Sequence, residues 1–188
     1  MMNLNQWYEK GITPDEYIKS LEKHKAGFSH IYANYSVPEE DESFLQAIRE
    51  KELRLIGLAE PWCGHCMLNI PVLLRLAERT NTPVRLLPRD ENLELMDQYL
   101  TNGKSRTIPI FIFIDNDGNE VAKWGPIAER TKQFIDQYRE KLPAKDAPDY
   151  DEKFTEMIGI TAKAFKEDNQ LWSGAYESMK ETLLESIK

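Results

Sequence analysis

The chain has only two cysteines and three histidines in 188 residues. Two cysteines cannot build a disulfide framework, so the fold must be held by an apolar core. They also fall short of the roughly four ligands of a structural zinc, and no second C-x-x-C exists to complete such a site. Only a metal shared between two copies of the chain would otherwise suit them. His24 and His30 have no further ligand near them at usual spacing and read as ordinary surface or boundary histidines. No apolar run approaches the ~18 residues of a membrane span. Residues 1–7 show neither a basic nor an apolar stretch, so no secretory signal is visible and a reducing, cytoplasmic location is expected. Positive charge is scarce as well: 24 Lys and Arg stand against 32 Asp and Glu, a net charge of −8. That balance argues against nucleic acid and anionic membranes as partners, because both reward clustered cations. No internal repeat or low-complexity segment is visible.

What is present suits one packed domain with appendages, with 41% hydrophobic and 30% charged residues. Residues 1–50 read as a helical extension that packs on this domain. Thr13-Pro14-Asp15-Glu16 carries a capping threonine, proline at the first helical position and glutamate three after the cap. Tyr17, Ile18, Leu21 and Phe28 follow at near-helical spacing, with Gly27 as a possible break. Ser36-Val37-Pro38-Glu39 repeats the cap signature ahead of Phe44, Leu45 and Ile48.

Residues 51–142 alternate between strand and helix. An apolar strand at 53–59 leads to a helix from about 64 to 80, and 83–88 reads as a second strand. Asp90 is expected to cap a short helix with Leu93, Met96 and Leu100 inward. A basic loop at 102–106 precedes a continuous apolar strand at 110–114. The Asp115-Asn116-Asp117-Gly118 turn then returns 119–124 antiparallel. Gly125-Pro126 is expected to open the last helix of the domain. The order β-α-β-α-β-β-α implies an α/β domain whose mixed sheet is covered by helices. Residues 143–188 read as a linker and a C-terminal helical extension. Its two apolar stripes are Phe154, Met157, Ile158, Thr161, Ala162, Phe165 and then Trp172, Ala175, Tyr176, Met179, Leu183, Ile187.

Both cysteines sit in Glu60-Pro61-Trp62-Cys63-Gly64-His65-Cys66, at the junction between the first strand and its helix. A helix start favours the thiolate, so a dithiol placed there is a reactive arrangement rather than a packing one.

Together, W-C-G-H-C, Pro71 five residues after the second cysteine, Ile108-Pro109 ahead of a hairpin, and Gly118 and Gly125 resemble the thioredoxin superfamily. The resemblance spans roughly 53–142, with the N- and C-terminal helices as additions. E-P-W-C-G-x-C with such additions is similar to bacterial thioredoxin-like proteins of uncertain substrate. It implies thiol–disulfide exchange with Cys63 as nucleophile and Cys66 as resolving thiol. His65 would tune the Cys63 thiolate, as in the C-G-H-C of disulfide isomerases. A cis peptide before Pro109 would set the Ile108 backbone beside Cys63 to receive an extended substrate strand. Gly64 would permit the tight turn and Trp62 would shield the thiol; Arg106 either lowers the Cys63 pKa, receives acidic substrates, or is an ordinary solvated loop charge. The buried acid that thioredoxins carry six residues before the first cysteine is replaced here by Gly57. Glu60, with Asp90 second, is then the candidate proton acceptor for Cys66.

The expected activity is a cytoplasmic disulfide reductase acting on a protein or small-molecule disulfide, without metal or organic cofactor. An unidentified reductase would be its electron donor. The rival reading is a redox-sensing binding module whose terminal helices hold a partner; a glutathione-using enzyme is a closer alternative.

Overall fold

The computed structural model describes residues 3–188. Its centre is a four-stranded mixed sheet in the order β2-β1-β3-β4. The strands are β1 (Arg54–Ala59), β2 (Val84–Pro88), β3 (Ile110–Ile114) and β4 (Glu120–Trp124). β1 runs parallel to β2, with Gly57 opposite Leu86, and antiparallel to β3, with Gly57 opposite Phe111. β3 and β4 form the hairpin. β3 is buried at every position and β1 at all but Arg54, which is why both read as apolar runs rather than alternating strands.

The helices flank this sheet. In chain order they are α1 (Leu4–Lys10), α2 (Pro14–Ser20), α3 (Lys25–Asn34), α4 (Glu42–Arg49), α5 (Gly64–Thr80), α6 (Leu93–Met96), α7 (Glu129–Arg139), α8 (Tyr150–Glu167) and α9 (Asn169–Ser186). α5 joins the parallel pair β1 and β2 and packs against α3, α4, α8 and α9. The N-terminal segment grips the other side of β2. Ile12 exchanges both backbone hydrogen bonds with Leu86, at 2.8 and 2.9 Å. The Thr13 capping box forms: the Thr13 hydroxyl accepts from Glu16 N–H while Glu16 accepts from Thr13 N–H.

Several local expectations change. The break between α2 and α3 falls at residues 21–24, and Gly27 lies inside α3. A Cβ at Gly27 would collide with Met67 of α5 and Lys166 of α8, so close helix packing accounts for the glycine. Neither the short turn Glu39–Asp41 nor α4 has a side-chain cap, and Asp90 caps nothing. In α6, Leu95 and Met96 face inward while Leu93 is exposed. α7 begins at Glu129, not at Gly125-Pro126. Gly125 instead takes φ 120° in a loop whose backbone abuts the Pro109 carbonyl, a conformation and an approach open only to glycine.

The C-terminal helices close the molecule. α9 buries Leu171, Trp172, Ala175, Tyr176, Met179 and Leu183 against α5, α7 and β4. α8 buries only Met157, Thr161 and Phe165; Phe154 and Ile158 of the expected stripe are exposed. Asp41, just before α4, accepts from Tyr176 at 2.7 Å and from Lys180 at 2.6 Å, which ties the two ends of the chain together. Among the described residues, no helix is long and apolar enough to cross a membrane.

Candidate active site

β1 ends at Ala59 and α5 starts at Gly64, so the intervening loop presents Cys63 as the residue that caps the helix. Its Sγ accepts the Cys66 N–H at 3.3 Å, the role that serine or aspartate plays at other helix starts. Its thiol also points at the Ile108 carbonyl, 3.8 Å away. Cys63 is held below the ordinary thiol range, first by the hydrogen bond shared with the Cys66 side chain, against the opposing effect of burial. The Cys66 and His65 N–H groups and the Arg89 charge act in the same direction. Cys66, one turn in, is fully buried, and burial followed by the Cys63 sulfur pushes its thiol well up. One thiol is prepared to be a thiolate and its neighbour to remain protonated.

His65 differs from expectation in its means. Its ring lies edge-on to Phe165 of α8 at 5.1 Å, and Nδ1 is buried without a hydrogen-bond partner. Burial, then the Arg139 charge, lowers its pKa, so the ring is neutral near pH 7. The support that His65 gives the Cys63 thiolate comes through its backbone. Gly64 has no left-handed φ, and a Cβ there would meet nothing, so this position leaves the approach to the thiol open.

Trp62 is 57% exposed, and its ring lies over the Arg89 guanidinium at 5.2 Å. Arg89 is thus the arginine whose charge acts on Cys63, a role expected of Arg106. Arg106 points to Asp97, which it holds through two hydrogen bonds of 2.6 and 2.9 Å. Sequence spacing favoured Arg106 for its nearness to Pro109; the turn that follows β2 favours Arg89, and only the strand order reveals it. The Ile108–Pro109 peptide is cis, as is Gly125–Pro126.

Glu60 is 7% exposed beneath the loop and accepts the Asp90 N–H at 2.9 Å. Its charge is the smallest of the influences that raise Cys66, after burial and the Cys63 sulfur. At Gly57, the space for a side chain is filled: a Cβ would lie 2.6 Å from Leu86 Cδ2. Two residues escaped the sequence reading. Tyr17 of α2 donates to the Glu60 carbonyl at 3.2 Å, and His24 Nε2 meets the Trp62 carbonyl at 3.1 Å. Nothing in their local sequence separates them from ordinary core and surface residues. Among the described residues, no group of three His, Cys, Asp or Glu is placed to hold a metal.

Comparison with known proteins bears on the family and the fold. A protein-family profile described as Thioredoxin matches residues 11–139. No curated protein matches the chain. Among solved structures, an HIV epitope scaffold is similar at 16% identity and a TM-score of 0.66, covering 99% of this chain and 98% of that one. A protein of unknown function from Pseudomonas aeruginosa is similar at 14% identity and a TM-score of 0.65, covering 93% of this chain and 97% of that one. At such identities these two likenesses concern the fold. The profile match covers well over half of the sequence and includes the helix that bears both cysteines. The chain therefore belongs to the thioredoxin family.

Proposed function

We propose that the chain is a cytoplasmic thiol–disulfide oxidoreductase working mainly as a disulfide reductase. The observation that carries this reading is the cap geometry of Cys63: its sulfur accepts the Cys66 N–H at the start of α5 and stands beside the Ile108 carbonyl. In the first step the Cys63 thiolate attacks one sulfur of the substrate disulfide. A mixed disulfide forms and the other substrate sulfur leaves as a thiolate that takes a proton from water. In the second step Cys66 gives its proton to the Glu60 carboxylate and attacks Cys63 Sγ. The Cys63–Cys66 disulfide forms and the second substrate thiol departs. An unidentified dithiol reductase then returns two electrons and two protons.

An extended substrate segment fits beside Ile108 and Pro109, with the exposed Trp62 ring and the open surface at Gly64 as flanks. Arg106 is paired with Asp97 yet 46% exposed, and in this reading it receives an acidic substrate. The cytoplasmic placement rests on the cysteine inventory: both thiols of the chain belong to the dithiol and neither serves as a structural bridge.

A second reading is favoured by α8. Phe154, Ile158 and Ile160 are exposed on the helix whose Phe165 covers His65. A redox-sensing module would use such a face to hold a partner in one redox state. The two readings separate on a Cys66→Ser variant incubated with a disulfide-bonded protein such as insulin. The oxidoreductase reading expects a trapped mixed disulfide on Cys63 by mass spectrometry, and turnover by the parent chain. Absence of both would discard it in favour of the binding module.

A further inference from the structure

The loop that carries the nucleophile is held from outside the sheet. Glu60 O accepts two hydrogen bonds, from Cys63 N–H at 3.1 Å and from the Tyr17 hydroxyl at 3.2 Å. Two residues on, Trp62 O faces His24 Nε2 at 3.1 Å; a carbonyl only accepts, so the imidazole donates. Between them Pro61 has no N–H with which to tie the loop itself. Both donors come from the N-terminal helices, Tyr17 from α2 and His24 from the residue before α3. Tyr17 is 4% exposed and lies close enough to both thiols and Glu60 for their charges to add to burial in raising its pKa. The phenol therefore stays protonated throughout the working range and remains a donor.

We propose that Tyr17 and His24 are positioning residues for the dithiol. They fix the 60–63 loop by two of its carbonyls, so that Cys63 Sγ stays aimed at the Cys66 N–H and at the approach beside Ile108. This inference rests on the reading of Cys63 as the activated nucleophile. The physical link is short. Removing a donor from Glu60 O loosens the carbonyl that also anchors Cys63 N–H. The sulfur then spends less time against the amide donors that favour its thiolate. Tyr17 from α2, Arg89 from the turn after β2, and His65 and Cys66 from α5 act on Cys63 itself, while His24 ahead of α3 and the Glu60 carboxylate adjoin its loop.

The test is the pH dependence of iodoacetamide alkylation of Cys63 in the full, reduced chain, with Tyr17→Phe and His24→Ala beside the parent. Tyr17→Phe keeps the ring and removes one hydrogen bond. It is expected to move the midpoint to higher pH and slow alkylation at pH 7 roughly fivefold, with the limiting rate at high pH unchanged. His24→Ala shifts the midpoint in the same direction. Variants that are folded by circular dichroism and alkylate with the parent's midpoint would overturn the inference. If Tyr17→Phe does not fold, His24→Ala, on a partly exposed side chain, decides alone. A parent chain whose Cys63 titrates as an ordinary thiol would instead overturn the underlying reading, and this inference with it.

Discussion

At the residue scale, two chemically identical side chains three positions apart are driven in opposite directions by where their sulfurs sit. Cys63 Sγ lies at the open end of α5, against N–H groups that favour negative charge. Cys66 Sγ lies inside the core, where charge is disfavoured. The sign follows: as pH rises, Cys63 ionises first and attack becomes possible while Cys66 keeps its proton. The proposed resolution step needs a base, the role given to Glu60, which is buried and whose charge acts on Cys66. Glu60→Gln preserves an oxygen to accept from Asp90 N–H but removes the base. Formation of the mixed disulfide should proceed at the parent rate, while its decay slows by roughly 10²-fold. Stopped-flow kinetics separates the two steps, and an unchanged decay rate would remove Glu60 from the mechanism.

At the element scale, the contact between β1 and β2 decides what lies under the dithiol. Leu86 is almost fully buried, and its side chain fills the space over Gly57. Gly57→Asp, which restores the acid of the resembled proteins, should therefore not restore their proton path. It would press on a leucine with little room to move and bury an unpaired carboxyl, at a cost of about 3 kcal/mol. For a chain of this length that is roughly 6–12 °C in Tm by thermal melt, and an unchanged Tm would contradict the packing described.

This contact also marks where sequence reading ends. β1, α5 and β3 were legible because long apolar runs and a cysteine-capped helix start are local signals. That Leu86 faces Gly57, that Phe165 covers His65 and that Arg89 rather than Arg106 stands by Trp62 are meetings between distant segments. No periodicity encodes them. The Ser36 and Asp90 cap signatures failed because each side chain is one option among several for a helix start, and tertiary packing set α4 and α6 elsewhere.

At the scale of the whole molecule, the terminal helices complete the fold around the sheet. The first segment supplies Ile12 to β2 and Tyr17 to the dithiol loop, and the last covers α5 and β4. They meet at Asp41, whose side chain is 11% exposed. Burial alone would raise this carboxyl, but hydrogen bonds from Lys180 and Tyr176 outweigh it and hold the pKa below the usual range. A depressed carboxylate stabilises the fold above its unfolded pKa of about 4 and loses that contribution as pH falls through the folded value. Asp41→Ala should cost about 2 kcal/mol at pH 7, or roughly 4–8 °C in Tm, and its deficit against the parent should shrink below about pH 4. A deficit independent of pH would show that the carboxylate charge is not what joins the ends.

The same closure bears on redox poise. An imidazolium beside Cys63 would favour the dithiol and make the couple more oxidising. Phe165 of α8 instead keeps the His65 ring buried and neutral, so the C-G-H-C sequence loses that effect. The most direct test is the reduction potential of the Cys63–Cys66 couple, measured by equilibration against glutathione buffers. A reversible two-electron couple closer to about −270 mV than to about −180 mV is predicted. A value at or above about −180 mV, or no two-electron couple at all, would contradict a disulfide reductase built on this dithiol.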